Sequence, residues 1–262
     1  MSLSLSLKRI RLPHPVYRLY EQKLVADLDK SKLPAHVGVI LDGNRRWARS
    51  FGEPVAAGHQ RGAAKIVDFL AWSEELGIRV VTLWMLSTDN LSRGPEELDT
   101  LLKIIQDAVA ALVKIGRWRL RAVGRLDLLP PELAQALVAA QEETKGAGGI
   151  EVNVAIGYGG RQEITDAVRG YLIDQQSQGK SLDSVIAELE GDHIADHLYT
   201  KGQPDPDLLI RTSGEQRLGG FLLWQSVHSE FYFCEAYWPD FRRIDYLRAL
   251  REYSTRERRL GK

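Results

Sequence analysis

The segment His36-Val-Gly-Val-Ile-Leu-Asp42-Gly-Asn-Arg-Arg-Trp-Ala-Arg49 runs from an apolar, β-branched stretch straight into a carboxylate, a glycine turn and paired guanidinia. An unbroken apolar run suits a strand buried on both faces, as in a parallel sheet, better than a half-exposed antiparallel strand. The residues that follow suit a metal-bound diphosphate: Asp42 takes the cation, while backbone N–H groups and the arginines take the oxygens. An Asx turn with solvated arginines explains the same Asp-Gly-Asn without any ligand. The neighbouring sequence has to decide between the two.

Working outward, further strand-like runs occupy residues 78–86, 118–124, 150–157, 207–211 and 231–234. Helical patterns at 58–76, 95–115, 130–145, 161–178, 181–198 and 244–259 separate them. In the first of these, Ala63, Ile66, Val67, Leu70 and Ala71 form a 3.6-residue stripe that Gly77 ends. In the second, Glu96 and Glu97 fall in the first turn, where the helix dipole favours negative charge. Strands alternating with crossover helices predict a single α/β domain, with a mostly parallel central sheet of about six strands flanked by helices. Ligand-binding loops then belong at the carboxyl ends of the strands. Residues 1–33 are expected to form an N-terminal arm and residues 34–262 the domain.

Composition narrows the function. The 262 residues are 44% hydrophobic, enough for a sizeable core, and 35 Lys+Arg balance 35 Asp+Glu. No global field favours a polyanion, so nucleic acid is not an expected partner and any anion must be caught locally. Of the basic residues 24 are Arg and 11 Lys, and the arginine fork matches phosphate oxygens two at a time. The single Cys234 excludes a disulfide within the chain and a cysteine zinc site, and fits a reducing compartment. No apolar run approaches the roughly 20 residues of a membrane span, and the opening MSLSLSLKRIRLPHP lacks the layout of a secretory signal. A cytoplasmic location is expected.

Two other strand-end loops tip the balance towards a ligand. Ser87-Thr-Asp-Asn-Leu-Ser-Arg93 and Arg211-Thr-Ser-Gly-Glu-Gln-Arg217 both carry anion-binding groups, and a parallel sheet brings them to the same rim as Asp42. Gly157-Tyr-Gly-Gly-Arg161 is either a close-approach turn or a helix–strand packing device. Neither GxxxxGK[ST] nor a strand-to-helix GxGxxG is present, which disfavours P-loop and dinucleotide enzymes. His193 and His197 lack the glutamate of a catalytic HExxH and read as packing, and no GxSxG elbow occurs.

At this point the chain resembles the cis-prenyltransferases, the undecaprenyl diphosphate synthase family, whose signature DGNxRWA here reads Asp42-Gly-Asn-Arg-Arg-Trp-Ala48. The resemblance runs over residues 36–259. It takes in Gly58-His-Gln-Arg-Gly62, the 87–93 loop, residues 153–161 and the 207–230 stretch DLLIRTSGEQRLGGFLLWQSVHSE. It implies condensation of an allylic diphosphate, geranyl or farnesyl, with isopentenyl diphosphate, giving a new Z double bond and free diphosphate. It also implies Mg²⁺, a homodimer and at most peripheral membrane contact, the latter through residues 7–19. Residue by residue, Asp42 would hold Mg²⁺ and the allylic diphosphate, with Gly43, Asn44, Arg45, Arg46 and His59 around the same phosphates and Trp47 packed beside them. Arg211 and Arg217 would grip isopentenyl diphosphate, Glu230 would complete the metal site, and Asn90 would assist proton removal. Ser87, Thr88, Asp89 and Arg93 would shape the region between.

The chain departs from the family pattern at several positions. Gly219 replaces a usual serine that contacts isopentenyl diphosphate, Gln216 a frequent histidine, Leu91 a frequent tryptophan, and Val55 lies near a common arginine. Met85 stands where long-chain members have a small residue, which implies early termination and a farnesyl-length product rather than a long polyprenyl one. Residues 80–86, with Ile104, Ile105, Val109 and Leu112, are expected to wall the product tail. Two competing readings are a non-catalytic partner subunit of the family, disfavoured by the retained Asp42, Arg46, Asn90, Arg211, Arg217 and Glu230, and a metal-dependent phosphate-ester enzyme.

Overall fold

Val37, Val39, Val81, Leu83, Val152 and Val154 are all buried to 1% exposure or less, as β-branched and apolar runs are when a sheet is covered on both faces. They belong to a computed structural model that describes residues 14–256. Its strands are β1 (His36–Ile40), β2 (Val80–Ser87), β3 (Arg119–Val123), β4 (Glu151–Tyr158), β5 (Leu208–Arg211) and β6 (Glu230–Phe233). They form one sheet in the order β3-β4-β2-β1-β5-β6, and every neighbouring pair is parallel. The six expected strands are all present.

The helices are α1 (His14–Ala26), α2 (Asn44–Phe51), α3 (Val55–Glu75), α4 (Pro95–Ile115), α5 (Pro131–Thr144), α6 (Gly160–Ser177), α7 (Leu182–Glu188), α8 (Gly191–Ala195) and α9 (Arg243–Thr255). Two features differ from the sequence pattern, and a third falls partly on residues that are not described. The expected helix over 181–198 is two short ones, because Glu190 adopts an extended conformation and starts a new capping box with His193. The turn after Asp42 is itself a helix, α2, whose Gly43 cap offers no side-chain hydrogen bond and therefore no sequence signal. The end of the expected 244–259 helix lies outside the described residues.

Chain order reverses beside β1: the chain leaves it for β2 on one side, and β5 returns on the other. Open parallel sheets bind ligands at such a switch point, outside the carboxyl ends. Here α2 packs against α3 with almost no room. A Cβ on Gly58 would stand 2.2 Å from the Asn44 carbonyl oxygen, and one on Gly62 2.3 Å from Asn44 Oδ1. Gly43, at φ 104°, leaves space that a Cβ would contest with Tyr237 Cδ1 at 2.7 Å.

Residues 34–241 form one compact unit that contains the whole sheet. Of the described residues, 242–256 cluster with 14–33 in a second unit. In this second unit Arg243 pairs with Glu21 at 3.1 Å, and Arg242 and Arg248 lie over the rings of Tyr17 and Tyr20, each at 5.5 Å. The expected membrane contact of residues 7–19 falls partly on residues outside the described range. No described helix is long and apolar enough to cross a membrane.

The helix crossing yields a direct test. Gly58→Ala forces α2 off α3 and should cost about 1–3 kcal/mol in a denaturant titration. Gly146→Ala, with nothing within 4 Å of its added Cβ, should stay within about 0.5 kcal/mol of the parent.

Candidate active site

At the carboxyl ends of β1, β2 and β5 lies a cleft of about 620 Å³. Asp42, Gly43, Asn44, Arg45, Arg46, His59, Met85, Ser87, Asp89, Asn90, Arg93, Arg211, Arg217 and Gly219 all line it. The sheet register explains the convergence: Ile40 pairs with Arg211, so the residues just past β1 stand beside the end of β5. The Thr212 hydroxyl ties the loops together, donating to the Asp42 carbonyl at 2.7 Å and accepting from the Asp42 amide at 3.0 Å. The exposed N–H groups of the first turn of α2 follow directly.

Asp42 is the electrostatic hub. Its Oδ2 accepts from Arg211 Nη2 at 2.9 Å and from Arg46 Nη2 at 3.4 Å. Burial pushes the Asp42 carboxyl up, but Arg211, Ser213 and Arg46 together outweigh it and hold the group below its ordinary value. Arg46 also donates to Ser213 Oγ at 2.6 Å and to Glu215 Oε1 at 3.1 Å, and Arg217 donates to Glu215 Oε2. Ser213 holds its position with a positive φ of 79°, uncommon for a residue with a side chain. Arg211 donates its Nη1 to the Arg217 carbonyl, while its buried Nε has no protein partner.

His59 is neutral here. Burial, aided by the nearby charges of Arg93 and Arg45, pushes it down to about 4, and its buried Nε2 has no protein partner. Arg93 donates to Asn90 Oδ1 through Nη2 at 2.8 Å and Nε at 3.2 Å, and to Glu97 at 3.1 Å. The Asn90 amide is thereby fixed with its oxygen already engaged. Such an amide orients a partner; it does not accept a proton from one.

Three residues expected at the site lie elsewhere. Trp47 is buried against Phe51, with ring centroids 4.9 Å apart and Arg61 above it at 5.1 Å. Thr88 packs on Gly159, where an added Cβ would meet its Oγ1 at 2.7 Å. Glu230 opens β6 opposite Leu208, three residues before the pair of Arg211 with Phe233. In a parallel sheet that displacement is about 10 Å towards the opposite rim, so the structure does not bring Glu230 to Asp42 within this chain. The Gly157–Arg161 turn acts as a packing device: Gly160 N donates to the Gly220 carbonyl at 2.8 Å. His193 and His197 are packing residues too, stacked on and edge-on to Tyr171.

Glu215 and Arg49 line the cleft although the sequence did not single them out, and Trp84, expected with residues 80–86 to wall the product tail, lines it too. Glu215 sits between the two arginines of its own loop, a position that sequence reading could have weighed. Trp84 and Met85 both reach the cleft because Met85 is an extra residue between the pairs Trp84–Ala155 and Leu86–Ile156. An alternating strand would hide one of them.

Six arginines against three carboxylates make this lining a polyanion site. Among the described residues no group of three or more His, Cys, Asp or Glu could cage a metal. A hard divalent cation held by one carboxylate together with phosphate oxygens of a substrate needs no such cage, and Asp42 fits that donor set. Beside the cleft unit's sheet, a second hollow of about 210 Å³ between α3 and α4 is walled by Ala63, Ala64, Ile66, Val67, Ile104, Ala108 and Leu112. Ile105 and Val109 are buried on the same helix.

Known proteins match this chain along its length. The family described as "Putative undecaprenyl diphosphate synthase" matches residues 40–261. A (2Z,6E)-farnesyl diphosphate synthase of Thermobifida fusca is 58% identical over 248 residues, 94% of this chain and 97% of that protein. Isoprenyl transferase 1 of Streptomyces avermitilis is 52% identical over 261 residues, covering 100% of both. The solved structure of lavandulyl diphosphate synthase from Lavandula x intermedia, in complex with dimethylallyl diphosphate, superposes with a TM-score of 0.83 at 35% identity, over 88% of this chain and 100% of that one. With its sheet order, its arginine-lined cleft and these matches in agreement, the chain belongs to the undecaprenyl diphosphate synthase family of prenyltransferases.

Proposed function

We propose that this protein is a short-chain cis-prenyltransferase that condenses an allylic diphosphate with isopentenyl diphosphate, forms a Z double bond and releases diphosphate. The observation that carries this reading is the convergence of Arg46, Arg211 and Arg217 on Asp42 and Glu215 in one cleft, with an apolar hollow between α3 and α4 of the same unit. A diphosphate needs the first and a prenyl tail the second.

The chemistry assigns the parts. Heterolysis of the allylic C1–O bond sends the electron pair out with diphosphate, and negative charge grows on its oxygens. Arg46, His59 and the α2 amides stabilise that charge where it develops. Asp42 would hold Mg²⁺, which when bound supplies further charge neutralisation at the leaving group. Arg211 and Arg217 hold the isopentenyl diphosphate so that its alkene faces the electrophilic carbon. Asn90, clamped by Arg93, orients the reacting unit, and a diphosphate oxygen takes the departing proton. A homodimer belongs to the same reading, supported by Phe233, 38% exposed on the edge strand β6, and by the exposed Val227. So does a cytoplasmic location.

Incubation with labelled isopentenyl diphosphate and geranyl diphosphate should extend the chain by one five-carbon unit in the presence of Mg²⁺. Phosphate release without chain growth would favour the phosphate-ester enzyme instead. Asp42→Ala should lower turnover by at least about 10²-fold, a magnitude typical of lost transition-state electrostatics, and abolish the Mg²⁺ dependence of allylic binding. Met85→Ala removes side-chain bulk from the cleft lining and should shift products to longer chains on chromatography; an unchanged distribution would remove Met85 as the length limit.

His59 gives a pH signature. Its pKa, held down to about 4 by burial first and then by Arg93 and Arg45, should rise when a diphosphate trianion is added beside it. Protonated His59 is thus favoured in the complex, and its contribution to affinity grows as pH falls through the raised pKa of the complex towards the free value of about 4. Titration calorimetry at pH 5.5 in buffers of differing ionisation enthalpy should show proton uptake that is smaller in His59→Asn.

A further inference from the structure

Among the described residues only two that carry side chains, Ser213 (φ 79°) and Leu222 (φ 46°), adopt a left-handed backbone, and they bracket the segment that bears Arg217 and Gly219. For a fully buried leucine that conformation is costly and persists only where the surroundings over-determine it. Ser213 has its own anchors: its N donates to the Ala236 carbonyl at 2.8 Å, and its Oγ accepts from Arg46 at 2.6 Å. Leu222 is anchored elsewhere. Its N donates to the Tyr158 hydroxyl at 3.2 Å.

The hydroxyl is itself held in place. It donates to Glu163, a carboxyl with no exposure to solvent, which also accepts from Tyr199 N and Gln225 Nε2, both at 3.0 Å. Burial pushes the Tyr158 hydroxyl well up and the Glu163 carboxylate adds to the rise, so the hydroxyl keeps its hydrogen for Glu163 while it accepts from Leu222. From the same turn Gly160 N donates to the Gly220 carbonyl at 2.8 Å. Two bonds from one turn thus close the far end of the arginine segment. Within the segment the Arg217 carbonyl accepts from Arg211 Nη1, and a Cβ placed on Gly219 would be 3.5 Å from that same nitrogen. The path of the segment therefore bears on both arginines. The Tyr158 carbonyl serves β2 instead, accepting from Thr88 N at 3.1 Å and from Trp84 Nε1 at 3.3 Å.

Resting on the functional reading above, we propose that Tyr158, backed by Glu163, is a positioning residue for the isopentenyl diphosphate half of the cleft: its hydroxyl holds the strained Leu222 end of the segment and so presets Arg217 and the carbonyl against which Arg211 leans. Without that hydroxyl, Leu222 N is left buried with no acceptor, and the left-handed turn relaxes. The arginines must then be ordered when the ligand arrives, which lowers affinity. The allylic half does not depend on this end. Asp42, Arg46 and Ser213 are tied to one another and, through Ser213 N, to Ala236. The β2 side is also spared, because the bonds to the Tyr158 carbonyl need no hydroxyl.

The test separates one half of the cleft from the other. Isopentenyl diphosphate alone does not condense, so calorimetry reads its affinity directly, beside that of geranyl S-thiolodiphosphate as an unreactive allylic probe. Tyr158→Phe should weaken isopentenyl diphosphate at least tenfold and raise its KM likewise, with the allylic probe and kcat within threefold of the parent. Hydrogen exchange of residues 218–225, followed by mass spectrometry, should quicken at least tenfold while that of β1 is unchanged. Glu163→Gln, which still accepts from Tyr199 and Gln225 through its one amide oxygen but offers the Tyr158 hydroxyl no carboxylate, should show the same split by a smaller factor. If Tyr158→Phe does not fold by circular dichroism, Glu163→Gln carries the comparison. Equal loss of affinity for the two ligands, isopentenyl diphosphate affinity within twofold of the parent, or unchanged exchange of 218–225 overturns the proposal while condensation by the parent leaves the functional reading intact. A parent that neither condenses nor binds isopentenyl diphosphate overturns that reading, and this proposal with it.

Discussion

The contact of Arg211 with Asp42 is the interaction on which the rest of the cleft depends. It exists because β1 and β5 are adjacent and parallel, with Ile40 opposite Arg211. A shift of one residue in that register would turn Arg211 to the other face of the sheet and leave Asp42 without its closest cation. The contact also explains how a carboxylate stays charged in a half-buried place. Its desolvation is offset by two guanidinia and a hydroxyl.

From this pair outward, four more of the cleft arginines are each held by a carboxylate. Arg46 and Arg217 share Glu215, while Arg45 and Arg93 share Glu97 at 3.6 and 3.1 Å. Arginines fixed in this way lose less rotamer freedom when a diphosphate arrives, because much of the ordering is already present. The chain's zero net charge therefore conceals a strongly cationic cleft whose charges are matched locally. Global neutrality says nothing about a site of this kind.

How much of this was legible in the sequence depends on the range of each interaction. Six strands and the Asp42 rim follow from apolar runs and from the rule that parallel strands share a carboxyl edge, and both hold here. The two-helix break at Glu190 and the helix after Gly43 depend on backbone capping that leaves no periodic trace. Glu230, which the resemblance implies at the metal site, comes first in β6 of this chain while the cleft lies beyond the last residues of the strands, a difference of strand end that a motif match does not carry. Trp84 falls in the run 80–86 expected to wall the product tail, and the extra residue at Met85 brings the two adjacent side chains to the cleft together.

That irregularity in β2 bears on how the cleft meets two demands at once. A regular strand offers alternate residues to one face, so it can present either an aromatic wall near the arginine loop or an apolar wall deeper in, but not both from adjacent positions. The extra residue on β2 is compensated on β4, where Gly157 takes a positive φ of 57° before Ser87 pairs with Tyr158. The sheet thus recovers its register within two residues, and the Tyr158 hydroxyl still reaches Glu163 and accepts from Leu222 N. Leu222 lies next to Phe221, the ring on which Trp84 stacks. The same short stretch of β4 therefore supports the aromatic wall from below and limits how far the strand can be distorted to build it.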